Sequence, residues 1–114
     1  MSSRRPSAEL RAAVPVFAAL GDSTRLHLVI RLCSGEPLSI TQLASGTRLT
    51  RQAVTKHLHV LAQARLVRGA RQGREQLWEL NPDQLQEARR CLDLISRQWD
   101  AALGRLKATL EAEE

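Results

Sequence analysis

Residues 49–61 read LTRQAVTKHLHVL, and the spacing of the apolar side chains in this stretch decides the fold. Val54, Leu58 and Leu61 recur at intervals of four and three, the rhythm of one buried stripe along an α-helix. Arg51, Gln52, Thr55, Lys56 and His59 then fall on the opposite, solvent side, a short polar face rich in hydrogen-bond donors. Thr50 stands where an N-cap oxygen is needed, so the helix is expected to run from there to about Ala64. Just upstream, Ser39-Ile40-Thr41-Gln42 has the form of a capping box and starts a short helix whose Ile40, Leu43 and Ala44 face inward. Gly46-Thr47-Arg48-Leu49 is a tight turn between the two. Two short helices joined by a glycine-containing turn make a helix-turn-helix.

Two scaffold helices precede this unit. After Ser7, a candidate N-cap, Leu10, Val14, Phe17, Ala18 and Leu20 keep helical spacing, and Pro15 either kinks that helix or opens its second half. Gly21 is expected to close it as a residue that tolerates positive φ. Asp22 caps the second helix, in which Leu26, Val29, Ile30 and Cys33 form the inward stripe before Gly35 and Pro37 stop it. Residues 1–6 are polar and expected to be disordered, leaving one domain over 7–112.

Downstream, Leu66-Val67-Arg68 and Gln76-Leu77-Trp78-Glu79-Leu80 read as two strands of a small hairpin with Gly73 at its tip and Arg71 and Arg74 beside it. Asn81-Pro82 opens the last helix as cap and first-turn residue, and Asp83 and Glu87 complement its positive end. Leu85, Ala88, Leu92, Ile95, Trp99, Ala102 and Leu106 follow at alternating gaps of three and four, the seam that two packed helices want. A helix over about 82–112 is roughly 45 Å long, more than the rest of a small domain can cover. Its stripe is therefore expected to be buried by a second copy, with Leu92, Ile95, Trp99, Ala102 and Leu106 at a homodimer interface. The alternative is a seam that packs only on helices of its own chain.

The 114 residues hold 17 Lys or Arg against 12 Asp or Glu. From Arg48 to Glu75 there are seven bases and a single acid, so the whole surplus sits in one quarter of the chain. Such a patch is the electrostatic footprint expected for phosphates, unless it is only a solvated basic face. The helix at 51–63 favours the first reading. Arg and Gln can bond bidentately to guanine and adenine edges in the major groove, and a threonine methyl can meet a thymine methyl. Arginine on a hairpin tip suits phosphates and a narrow minor groove. Aromatic residues are only 3% of the chain, which leaves little material for the base stacking that single strands and RNA require. The expected partner is double-stranded DNA, contacted by Thr50, Arg51, Gln52, Thr55, Lys56, His59, Arg71 and Arg74.

Other chemistry is poorly supplied. The longest apolar stretch, Ala12–Leu20, has nine residues interrupted by Pro15, far short of the roughly 20 a membrane span needs. Arg4-Arg5 before it faintly imitates an export signal, but Glu9 and Arg11 interrupt the would-be apolar core. Cys33 and Cys91 are far apart, in no metal spacing, and read as reduced thiols of a cytoplasmic, nucleoid-associated protein. His57 and His59 point about 200° apart around their helix, so they cannot chelate one ion, and His57 is expected to pack against the hairpin. No nucleophile, carboxylate pair or phosphate loop suggests an enzyme, and no cofactor or metal is expected.

These residues resemble the ArsR-type winged helix-turn-helix transcriptional repressors. The likeness is carried by Ala19-Leu20-Gly21-Asp22-Ser23-Thr24-Arg25, by Leu43-Ala44, by the whole of 49–61, by Ala64-Arg65-Leu66-Val67-Arg68 and by the Trp-containing tail 97–106. It covers roughly Val16 to Leu110. The resemblance implies a mainly α fold with a small β-hairpin, four helices followed by two strands and a last helix, dimerising through the first and last helices. It also implies repression from an inverted-repeat operator, with Gln52, Thr55 and Lys56 facing the groove, Arg71 and Arg74 at the wing tip, and Trp99 and Leu106 in the dimer seam. Metal-sensing members place a Cys-x-Cys in the third helix or Asp, His and Glu ligands along the last. The third helix here lacks cysteine and no histidine follows His59, so the chain is expected to fall in a non-metal-binding subgroup, released by an unidentified inducer or partner protein. A winged-helix protein-interaction module is the competing function, and it would bind with little salt dependence where DNA binding is steeply salt-dependent.

Overall fold

The computed structural model describes residues 6–113. Of the expected N-terminal disorder, 1–5 lies outside the described residues, while Pro6 already belongs to the first helix. The order is α1 Pro6–Leu20, α2 Ser23–Leu32, β1 Leu38–Ser39, α3 Ile40–Ala44, α4 Arg51–Gln63, β2 Val67–Gln72, β3 Glu75–Leu80 and α5 Pro82–Ala112. This is the expected mainly helical winged architecture with one addition. A two-residue strand, β1, pairs antiparallel with β3 through Leu38↔Trp78 and Ser39↔Leu77, so the hairpin becomes a three-stranded sheet of order β1-β3-β2. Ser39 hides the strand from pattern reading because it serves two elements, closing β1 and capping α3.

Caps explain most boundaries. Asp22 accepts from the Arg25 backbone N–H at 3.0 Å and starts α2. Ser39 and Gln42 complete the expected capping box, each side chain accepting from the other's backbone N–H. Thr50 Oγ1 accepts from Ala53 N at 3.0 Å at the head of α4, and Asn81 does the same for Asp83 at the head of α5, where Pro82 follows. The end of α4 is less ordinary. Leu66 N–H donates to the Leu61 carbonyl and Arg65 N–H to that of Ala62, the paired bonds of a Schellman motif. Arg65 adopts φ 63° at the position where glycine is usual.

The core joins α1, α2, α3, α4 and the base of the sheet around Val16, Leu32, Leu43, Val54, Leu58, Leu61 and Leu66, all essentially inaccessible to solvent. Two guanidinium groups tie the scaffold to it. Arg25 Nε donates to the Ala19 carbonyl, and Arg31 donates to the Leu43 and Gln42 carbonyls at 2.7 and 2.9 Å, satisfying acceptors that the end of α3 leaves open.

Several expectations need correction. Ser7 is not the N-cap of α1, since the helix begins one residue earlier and runs unbroken through Pro15. Gly21 is not in the positive-φ region; Gly35, Gly46 and Gly73 are. In α1 the inward face is Ala13, Val16 and Ala19, whereas Leu10, Val14 and Ala18 are exposed. In α2 it is Leu28, Val29 and Leu32, whereas Leu26, Ile30 and Cys33 are exposed. The physical reason is common to both helices. Each carries apolar residues on two faces at helical spacing, and periodicity cannot say which face meets the chain's own core.

The last helix splits its stripe in the same way. Ala88 and Cys91 are buried and Leu85 half-buried near its start, where α5 lies along α1. Leu92, Ile95, Trp99, Ala102 and Leu106 are all exposed, with Trp99 64% accessible. The seam thus does not pack on its own chain, and the molecule measures 67 × 39 × 20 Å with much of α5 standing clear of the body. Among the described residues no single helix is long and apolar enough to cross a membrane.

Candidate nucleic-acid interface

The polar face of α4 exists because its other face is anchored. Val54, Leu58 and Leu61 are completely buried, so Arg51, Gln52, Thr55, Lys56 and His59 must turn outward. Together with Ile40 of α3 they line one shallow depression of about 700 Å³. Arg51, Gln52 and Lys56 are exposed, and among the described residues their side chains make no hydrogen bond or ion pair. Thr55 is half-buried and its hydroxyl donates to the Arg51 carbonyl at 2.8 Å, which commits the proton to the helix and leaves the methyl and lone pairs for a ligand. Thr50 lies at the N-terminal end of this face with its oxygen engaged as N-cap, so its hydroxyl proton remains free to donate outward.

The hairpin supplies the second group of cations. β2 and β3 pair from Val67↔Leu80 to Gln72↔Glu75, which carries β2 four residues and β3 one residue further toward the tip than the sequence pattern indicates, and Gly73 turns the chain with φ 63°. Arg71, opposite Gln76, and Arg74, in the turn, are both exposed. Arg68 differs from them, because its guanidinium is paired across the strands with Glu79 at 3.1 Å. The seven bases of 48–75 are therefore not equivalent, and one is already neutralised within the sheet.

The contacts of the two histidines differ from expectation. The partner that the structure gives His57 is Asp22, the cap of α2, 3.8 Å from its Nδ1. The Arg25 N–H and nearby positive groups hold the Asp22 carboxyl below the ordinary aspartate range. It is His59 that meets the sheet, its ring tilted 57° to that of Trp78 with centroids 6.3 Å apart. Trp78 is buried, and its Nε1 has no hydrogen-bond partner among the described residues. Sequence reasoning missed both Trp78 and Ile40 as neighbours of the face. The signal for Trp78 was its place on the strand paired with β2, the strand that follows α4 and packs on it; nothing local marked Ile40.

The matching family model is described as a helix-turn-helix domain and spans residues 20–70, from the end of α1 to the middle of β2. The HTH-type transcriptional regulator Rv2034 of Mycobacterium tuberculosis is 38% identical over 97 residues, covering 85% of this chain and 87% of that protein. An ArsR-like transcriptional regulator from Rhodococcus sp. RHA1 superposes with a TM-score of 0.71 at 32% identity, over 87% of this chain and 92% of the other. The chain belongs to the ArsR family. As a member it is a transcriptional regulator with a winged helix-turn-helix domain for DNA. The ArsR fold extends to a Mycobacterium bovis winged helix-turn-helix domain described as homodimeric, with a TM-score of 0.61 at 23% identity over 91% of this chain and 93% of that one. Among the described residues no group of three or more His, Cys, Asp or Glu is arranged to hold a metal ion.

Proposed function

We propose that two copies of this chain form a sequence-specific repressor that binds an inverted-repeat operator in double-stranded DNA. One observation carries the reading: a fully buried apolar stripe holds α4 in place while Arg51, Gln52 and Lys56 on its other side are exposed and unengaged. A helix presented this way offers the major groove the donors that read base edges. In this reading Arg51, Gln52, Thr55, Lys56 and His59 face the groove and Thr50 donates to a phosphate at the helix N-terminus. Arg71 and Arg74 reach flanking phosphates or the minor groove. The exposed residues Leu92, Ile95, Trp99, Ala102 and Leu106 form the homodimer seam, supported by the homodimeric state described for the M. bovis domain. The single domain over 7–112 devotes about 82–112 to that seam. The protein acts at the nucleoid in the cytoplasm, catalyses no reaction, needs no cofactor or metal, and is released by an unidentified inducer or partner protein.

The test begins by selecting genomic fragments with the purified protein and measuring affinity for the winning site and for random DNA. Gln52→Ala is expected to lose about 1–3 kcal/mol on the selected site and to leave random DNA nearly unchanged. Equal losses on both would rule out base reading by Gln52.

A further inference from the structure

We infer that the distal half of α5, Trp99–Leu110, seats on the Leu26–Ile30–Cys33 stripe of α2 in a second copy of the chain. The inference rests on the dimeric reading above and assigns the surface that completes it. Trp99, Leu103, Leu106 and Leu110 repeat at four, three and four, are each more than half exposed, and lie where α5 stands clear of its own body. They need an apolar seat. Among the described residues the large exposed apolar side chains outside α5 are Leu10 and Val14 of α1, Leu26 and Ile30 of α2, and Val60 of α4.

Position and spacing select the α2 pair. Leu10 and Val14 belong to the helix that already lies along α5 of the same chain, so a twofold pairing of the near part of α5 covers them first. The distal part reaches further, since Trp99 to Leu110 adds about 17 Å beyond the part that lies along α1. Leu26, Ile30 and Cys33 repeat at four and three, matching the tail's own rhythm, and Ile30 is 58% exposed although helical spacing marks it for burial. The tail, the α2 stripe and the α1 pair together expose apolar surface on the order of 1,000 Å² per chain, comparable with the roughly 800 Å² per partner of a stable interface. A surface whose apolar rod and apolar seat lie on the same chain is self-complementary, which makes the partner a second copy.

The seat also gives the contact something to act on. α2 is coupled to the reading unit at both ends, through Asp22 beside His57 of α4 and through Arg31 on the carbonyls that end α3. A partner helix lying on α2 therefore sets where each α3–α4 unit stands relative to the twofold axis.

Native Cys33 at the end of the stripe makes the contact measurable, because a disulfide requires Cβ atoms about 4 Å apart. Chains carrying Cys33→Ser with Trp99→Cys, Leu103→Cys, Leu106→Cys or Leu110→Cys are each exchanged with the wild-type chain and oxidised mildly. At least one position is expected to give a covalent dimer on a non-reducing gel that disappears when both chains carry Cys33→Ser. In unmodified protein, Cys33 is expected to be alkylated roughly tenfold more slowly than in a Trp99→Glu chain that no longer dimerises. If no position links and Cys33 alkylates equally fast in both while light scattering still reports a dimer, the α2 seat is wrong and the dimeric reading stands. A monomer mass for the wild-type chain at all concentrations would overturn both.

Discussion

Arg65 shows how one residue can hold a fold together in a conformation it does not favour. Its positive φ completes the Schellman end of α4 and turns the chain into β2, a place where a side chain is strained and glycine is not. Arg65→Gly is expected to raise stability by roughly 0.5–1 kcal/mol in urea unfolding, and a loss would mean that the guanidinium makes a compensating contact. Asp22 gives a pH signature. Its folded pKa is depressed, so the stability that its carboxylate contributes is complete above the unfolded value of about 4 and is lost as pH falls through the folded value. Asn caps a helix without titrating, so the melting temperature of Asp22→Asn is expected to fall less than that of the wild type on acidification from pH 5 to pH 2, as read by circular dichroism.

At the scale of elements, the proposed reading divides the contact between α4 and the hairpin. In it the exposed helix face offers side chains matched to bases, whereas the turn around Gly73 carries Arg74 as a charge on a rigid arm. Arg74→Ala is accordingly expected to weaken selected and random DNA alike and to lower the slope of log affinity against log salt by about one. A loss confined to the selected site would instead make Arg74 a base reader. Both elements were legible from residues alone. Val54, Leu58 and Leu61 fixed the orientation of α4, and Gly73 between two β-forming runs fixed the hairpin. β1 was not, because a two-residue strand has no period to detect.

For the whole molecule, the unpartnered length of α5 is the dominant feature. Trp99 touches little of its own chain, so Trp99→Glu is expected to leave the helical content intact, to give monomers by light scattering and to weaken operator binding at least about a hundredfold through loss of the second head. A dimer of unchanged mass would place the seam elsewhere.

Local spacing by itself determined the order of the five helices and the hairpin, the N-caps of α2 to α5, the buried side of α4 and the concentration of charge at 48–75, since each depends on residues close together in the chain. Only the tertiary structure decided which of two apolar faces α1 and α2 turn inward, that Cys33 is open while Cys91 is covered, that His59 rather than His57 meets Trp78, and that Arg68 is already paired. A helix with two apolar faces satisfies the same periodicity either way round, and the choice between them is made by distant elements that compete for each face.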